Sequence, residues 1–326
     1  MSQPELHVFT RSDLADLEIS PAEVIAAVRE GYLGLAKGDS RCPTKLMMPL
    51  PVAERDAVSY SMLGYDAASQ HLGFKTSYRQ GTDNPEKYYT TISLYDDTTG
   101  LPFALMDCER VGASRTPATT ALIAEVCAQP DPRSVLMIGT GVQARNTLPY
   151  LLTVFPKLDR LMLYGTHPEG ISSTFETLRR HHPDRELELV SDVPKAASES
   201  DIVVAASGRA AHPLVQTEWL MPGGLLISVS SKGVASSALR EADYAIATSE
   251  GQLGITGSRF AAEDGTATID AELPDVLSGR APGRRTAEDR VFAFSSGMVI
   301  TDIPVAHALA TRAVDAGRGQ RVRLWS

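Results

Sequence analysis

From residue 134 the chain alternates strand and helix, and one turn inside that alternation constrains the fold most. The stretch SVLMIGTGVQARN, residues 134–146, runs an apolar strand into Gly139-Thr140-Gly141 and then into a helix. Small residues at these spacings have a physical use. Gly139 permits a sharp turn, Gly141 lets the backbone approach a pyrophosphate, and Ala144 lets the helix pack close to its strand. The helix N-terminus then offers unpaired N–H groups and a positive dipole end to phosphates. The turn reads as a dinucleotide site because strand, glycines and helix occur in the order that chemistry needs.

The alternation continues. RLMLYG, LELVSD, DIVVAAS, GGLLISVS and DYAIATS read as strands, with VQARNTLPYLLTVF, EGISSTFETLRRHH and VPKAASES as helices between them. Repeated β–α units imply a parallel sheet covered on both faces. Residues 116–300 are expected to form a Rossmann-type doubly wound parallel sheet.

Residues 1–115 read differently. SPAEVIAAVREGYLGLAKGD is a helix with Ser20 as N-cap, Pro21 in the first turn and Glu23 at the capping-box position. Short β-rich runs follow from Lys45 to Leu105, separated by turns such as DDTTG. They predict an antiparallel meander or a partly closed barrel. ASRTPATTALIAEVCAQ predicts a helix from Ala113, with Pro117 tolerated at its start. The tail, residues 301–326, reads as helix then strand and is expected to return to the first domain. The fold class expected is α/β: the Rossmann-type sheet plus a second, β-rich α+β domain.

Composition narrows the partners. A formal net charge of −9 argues against a nucleic-acid partner, which requires a basic face to displace counterions. No apolar run nears the ~20 residues of a membrane span, so no membrane partner is expected. Cys42, Cys108 and Cys127 are far apart, form neither a disulfide framework nor a zinc spacing, and fit a reducing cytoplasm. No metal site and no signal peptide are expected. The second strand of the dinucleotide unit ends in Gly165-Thr166-His167, without the Asp or Glu that bonds an NAD ribose. Nothing there repels a 2′-phosphate, and Thr166 and His167 can donate to one. The cofactor expected is NAD(P), with NADP(H) favoured.

Five stretches together carry a resemblance: PTK at Pro43–Lys45, GFK ending at Lys75, SRTPATTAL from Ser114, GTGVQA from Gly139, and FSSGMVITD ending at Asp302. On these the chain resembles the ornithine cyclodeaminase/μ-crystallin family over nearly its whole length. The resemblance implies a Rossmann domain for NAD(P) and a second domain that binds substrate and forms a homodimer. It implies hydride exchange between a nicotinamide and a carbon bearing both nitrogen and carboxylate, in a small amino or imino acid.

By that resemblance Arg115 and Lys75 bind the substrate, with Lys45 beside them where relatives commonly have an arginine. A guanidinium grips both carboxylate oxygens, whereas lysine is a point charge. Lys75, if buried, is expected to have a lowered pKa suited to proton transfer. Thr90 and Arg115 are expected near the cofactor, Val142 and Gln143 at the phosphate turn, and Thr166 and His167 at the ribose. Ser207 is expected on the adenosine side, Val229, Ser230 and Ser231 along the cofactor, and Ser295 and Ser296 at the substrate. Asp302 reads as a cap of the final helix, or as a residue near the nicotinamide.

One departure bears on the reaction. Cyclodeaminases of the family carry an acid–base Asp in a short G-x-D segment after the PGG strand. That position falls on Lys232 here, with Ser230 in place of the glycine. Lysine reverses the charge, repels a cationic substrate and suits proton donation to an imine nitrogen. The function expected is an NAD(P)-dependent imine reductase or amino-acid dehydrogenase, with Lys75 and Lys232 catalytic. The alternatives are an ornithine- or lysine-type cyclodeaminase with internally recycled NAD, and a non-catalytic nucleotide-binding protein. Pro117, in a position where relatives usually have Ala, is a mild pointer to the last.

Overall fold

The computed structural model describes residues 4–52, 54–81, 88–208, 212–229, 231–265 and 267–325. In chain order its elements begin with β1 (Leu6–Phe9), α1 (Arg11–Leu14), α2 (Pro21–Lys37), β2 (Leu46–Pro49), β3 (Val58–Asp66) and β4 (His71–Arg79). Then come β5 (Tyr88–Asp96), β6 (Leu101–Asp107), α3 (Glu109–Cys127), β7 (Ser134–Ile138), α4 (Val142–Val154), β8 (Arg160–Tyr164) and α5 (Pro168–His181). Next are β9 (Leu187–Leu189), α6 (Val193–Ser198), β10 (Ile202–Ala205), β11 (Leu225–Ser228), α7 (Ala238–Glu241), β12 (Tyr244–Ala247) and α8 (Glu250–Thr256). The last are β13 (Ala271–Glu272), α9 (Leu273–Leu277), β14 (Val291–Phe294), α10 (Val299–Asp315) and β15 (Gln320–Val322). The chain forms two compact units, residues 1–115 with 298–326, and residues 116–297. The return to unit 1 comes at Met298, the N-cap of α10, rather than at residue 301, because α10 is one continuous element.

Unit 1 is a seven-stranded sheet in the order β15-β1-β6-β5-β4-β3-β2. Strands β2 to β6 form an antiparallel meander, β1 joins β6 in parallel, and β15 pairs with β1. The order is open, so the meander does not close as a barrel among the described strands. Met62, Lys75, Ile92, Met106 and Phe9 stand in one cross-strand row. Ile92, Met106 and Phe9 are buried, which marks this as the core face. Helix α10 lies on β3, β4 and α2.

Glycines explain how closely α10 sits. Gly64 and Gly73 are cross-strand partners. A Cβ on Gly73 would fall 2.4 Å from the Ile303 side chain, and one on Gly64 would fall 2.9 Å from Val299. A Cβ on Gly31 of α2 would meet the Ile300 carbonyl oxygen at 2.8 Å. Glycine inside a strand often marks such an approach. Helix α2 itself has the expected start, with Ser20 and Glu23 in a reciprocal capping box and Pro21 first, and ends on Gly38 at φ 82°.

Helix α3 starts earlier than the sequence reading expects. Asp107 Oδ1 accepts the Glu109 N–H at 2.9 Å, and the helix runs from Glu109. Pro117 therefore lies inside the helix rather than at its start, where it removes one backbone donor.

Unit 2 is an eight-stranded sheet in the order β13-β12-β14-β11-β10-β7-β8-β9. Every paired neighbour is parallel. The strands β7, β10, β11 and β14 are buried throughout, as a sheet covered on both faces requires. From β7 the chain runs outward through β8 and β9, then returns to β10 on the other side. The order thus reverses between β7 and β10, and in open parallel sheets ligands bind beyond the carboxyl ends of the strands at such a point.

Candidate active site

Beyond the carboxyl ends of β7, β8 and β10 lies a cavity of about 430 Å³. Gly139, Thr140 and Gly141 line it from the first turn, Gly165, Thr166 and His167 from the second, and Ser207 from the third. Gly139 has φ 112°, a backbone that L side chains rarely adopt, and an added Cβ would stand 2.6 Å from the Ala206 carbonyl oxygen. Two more glycines seat Thr140: a Cβ on Gly165 or on Gly170 would meet its side chain at 2.4 Å. Gly141 differs, since a Cβ there would meet nothing within 4 Å among the described residues. That open space lies before the first turn of α4, whose backbone N–H groups lack helical partners. Ser207 Oγ is buried and makes no hydrogen bond among the described residues. Open space, helix N-terminus and a waiting hydroxyl fit a dinucleotide's phosphates and ribose.

The other residues expected along the cofactor are placed as follows. Val142 and Gln143 open α4, with Val142 exposed. Val229 and Ser231 follow β11, and the Ser231 carbonyl accepts from Arg259 Nη1 at 2.7 Å. Ser230 lies outside the described residues. Lys232 is half-buried on the same loop, in unit 2. Ser295 and Ser296 follow β14 and are buried. Ser296 donates its N–H to Thr248 Oγ1 at 3.0 Å, and its hydroxyl lies 2.9 Å from Thr256 Oγ1. Thr90, on β5, belongs to unit 1.

The cationic residues Lys45, Lys75 and Arg115 also belong to unit 1, and the fold brings them together. Lys75 projects from the core row of β4, Lys45 stands just before β2, and Arg115 lies on α3. Between Lys75 and Arg115 is Asp302, in the first turns of α10. Asp302 Oδ1 accepts from Lys75 Nζ at 2.7 Å and from Arg115 Nε at 3.1 Å. The Asp302 side chain is 0% exposed, against 7% for Lys75 and 14% for Arg115. Its second oxygen, Oδ2, is buried and accepts no hydrogen bond among the described residues. The N-cap of α10 is Met298, so Asp302 is not the helix cap that the sequence suggests.

This arrangement sets the charge states. Burial pushes the Asp302 carboxyl up, but Arg115 and Lys75 beside it hold it below the ordinary carboxylate range. Burial pulls Lys75 down, but Asp302 more than compensates and raises it above the ordinary lysine value. Lys75 thus stays charged, and the lowered pKa expected for it is not found. Lys45 goes the other way: burial, then Arg115 and Lys75, pull it down to about 8. The counter-ion Asp302 is the feature the sequence reading misses, yet a signal was present. Asp302 is the one ionisable residue in VITDIPVA, a run buried from end to end, and such a charge requires a partner. Among the described residues no cluster of His, Cys, Asp or Glu is placed to hold a metal, and no helix is long and apolar enough to cross a membrane.

A doubly wound sheet with a glycine turn, paired with a β-rich unit that buries a cationic cluster, defines a class of nucleotide-binding proteins. Residues 7–317 match the model of the ornithine cyclodeaminase/mu-crystallin family, and the chain belongs to that family. It is 27% identical over 293 residues to a delta(1)-pyrroline-2-carboxylate reductase of Bacillus cereus, covering 86% of this chain and 84% of that one. It is 22% identical over 251 residues to an N-((2S)-2-amino-2-carboxyethyl)-L-glutamate dehydrogenase of Staphylococcus aureus, covering 74% and 73%. The structure of Thermococcus litoralis delta(1)-pyrroline-2-carboxylate reductase, in complex with NADH and L-proline, superimposes with a TM-score of 0.81 at 25% identity, covering 97% of this chain and all of that one.

Proposed function

We propose that this chain is an NAD(P)-dependent oxidoreductase that reduces the C=N bond of an α-imino acid, or in reverse oxidises the matching α-amino acid. One observation carries the reading: Lys45, Lys75 and Arg115 are gathered around a single buried carboxylate, Asp302. Three cations beside one anion leave excess positive charge in a poorly solvated place, and a substrate carboxylate offsets part of it. The activities of the relatives, which act on pyrroline-2-carboxylate and on an amino-acid conjugate, support this choice.

The roles divide between the units. Unit 2 holds the nucleotide, and when bound its nicotinamide supplies the hydride for the imine carbon. In unit 1, Arg115 and Lys75 hold the substrate carboxylate, and a proton goes to the nitrogen to complete the amine. Lys45 is the first candidate proton donor, because it alone of the three cations has its pKa pulled toward neutrality, to about 8. Lys232, which the sequence offers for the same step, lies in unit 2. On the opposite face of the unit 1 sheet, Leu63, Phe74, Tyr89 and Tyr95 are exposed. Exposed apolar area of this kind marks an interaction surface, and it supports a homodimer formed through that sheet.

The direct test compares an α-imino acid with the same imine lacking its carboxylate. The decarboxylated imine is expected to lose about 100-fold in kcat/KM, in line with a lost charge-assisted contact. Equal rates would contradict the carboxylate clamp. An ammonium donates only while protonated, so kcat/KM is expected to fall as pH rises through about 8. A profile that stays flat across that pH would remove Lys45 from the proton step.

The absence of an acid at Gly165, Thr166 and His167, directly after β8, supports NADP(H) over NAD(H). His167 is the N-cap of α5 and lines the cavity. Aspartate is a good N-cap, so His167→Asp keeps the helix start while placing a negative charge at the ribose. NADPH affinity is expected to fall at least about tenfold and NADH affinity to change little. Fluorescence titration reads both, and an equal loss of the two would contradict the assignment.

A further inference from the structure

We propose that Asp302 is a positioning residue: through one oxygen it binds the Lys75 ammonium and the Arg115 guanidinium, and so holds two cations as a ready-made clamp for the substrate carboxylate. The inference rests on the function proposed above and adds the residue that assembles its binding site.

Geometry carries it. Asp302 is more deeply buried than either cation it binds, at 0% exposure against 7% and 14%. It therefore acts through them rather than on the substrate. Both contacts use the same atom, Oδ1, so the two cations are tied to one point. That point is itself fixed, because Gly31, Gly64 and Gly73 admit the first turns of α10 against α2, β3 and β4 with no room for a Cβ. Like charges would otherwise repel, and a lone lysine buried beside an arginine would shed its proton. The carboxylate offsets that repulsion and keeps Lys75 charged.

Groups facing this cluster come from several elements. Tyr32 comes from α2, Cys42 and Lys45 from the segment before β2, and Lys75 from β4. Cys108 precedes α3, and Arg115 is on α3. Among these described groups, Asp302 is the carboxylate.

The test uses Asp302→Asn and Asp302→Glu in the full chain. Lys75 is followed by NMR of 13C-labelled lysine, assigned with Lys75→Arg, without any substrate. In Asp302→Asn the Lys75 titration is expected to move at least one pH unit lower. KM for an α-imino acid is expected to rise 30-fold or more, with kcat changing less than fivefold. Asp302→Glu restores the charge one methylene out of place, so Lys75 is expected to stay charged while KM rises five- to tenfold. Nucleotide affinity, a property of unit 2, is the control for folding. An unshifted Lys75 titration in Asp302→Asn overturns the proposal, and so does a wild-type KM in Asp302→Glu. If no imino acid is turned over, the function proposed above fails, and the lysine titration still decides the role of Asp302.

Discussion

Arg115→Ala is expected to lower kcat/KM for an α-imino acid by about 10²–10³-fold while nucleotide affinity stays within about twofold of the wild type. The size follows from what the side chain does. Its Nε is tied to Asp302 at 3.1 Å, and its terminal Nη1 and Nη2 form the planar fork that matches a carboxylate. Truncation removes both contacts at once. Among the described residues it leaves Asp302 with Lys75 as an ion-pair partner, so unit 1 is expected to lose about 3–5 kcal/mol, the usual cost of breaking a buried pair. The pair's stability has a defined pH window. Asp302 is depressed, so its contribution is present above the ordinary carboxylate pKa and is lost as pH falls through its folded value. Lys75 is raised, so its contribution is present below the ordinary lysine pKa and is lost as pH rises through its folded value. Arg115→Lys keeps the charge without the fork and is expected to cost about tenfold. Steady-state kinetics and a nucleotide titration check both variants, and full activity in Arg115→Ala would exclude it from the site.

The two glycines of the first turn are expected to respond in opposite ways. Gly141→Val is expected to weaken nucleotide binding at least about 100-fold with almost no change in thermal stability. Its backbone, φ −74° and ψ −179°, suits any residue, and a Cβ there would meet nothing within 4 Å among the described residues. A side chain there stands only in the way of a ligand. Gly139→Ala is expected to cost stability as well, about 1–3 kcal/mol, because the residue has φ 112° and its Cβ would press on the Ala206 carbonyl. The segment it pushes carries Ser207, so binding falls with stability. Thermal melts and fluorescence titrations separate the two. If Gly141→Val bound nucleotide normally, the phosphate turn would have to be elsewhere.

Much of unit 2 was legible in the sequence because its signals are local. An apolar strand, a glycine turn and a helix lie within 13 residues, and the strands that follow are short apolar runs with turn residues between them. The turn after β8, which lines the cavity, was legible for the same reason. Unit 1 was legible as a meander, but its chemistry was not. Lys75 and Asp302 are 227 residues apart, and Arg115 and Asp302 are 187 apart. Periodicity carries no information about pairs at that separation. The pKa of Lys75 was misjudged for this reason: burial was foreseen, the counter-ion was not. Pro117 misled in a smaller way, because a proline reads as a helix start until Asp107 is seen to begin the helix earlier. Gly64 and Gly73 were visible inside strands, yet only the placement of α10 gives them a purpose.

The most direct test of the account measures redox and ammonia together. Purified protein is mixed with NADPH or NADH and a panel of cyclic and acyclic α-imino acids, and absorbance of the reduced nicotinamide is followed. L-ornithine and L-lysine are run in parallel with NAD, with ammonia assayed. Stoichiometric oxidation of the reduced nucleotide by at least one imino acid is expected, faster with NADPH, with no ammonia from the diamines. Ammonia release from ornithine without net change in nicotinamide absorbance would contradict it, and would make the chain a cyclodeaminase in spite of Lys232.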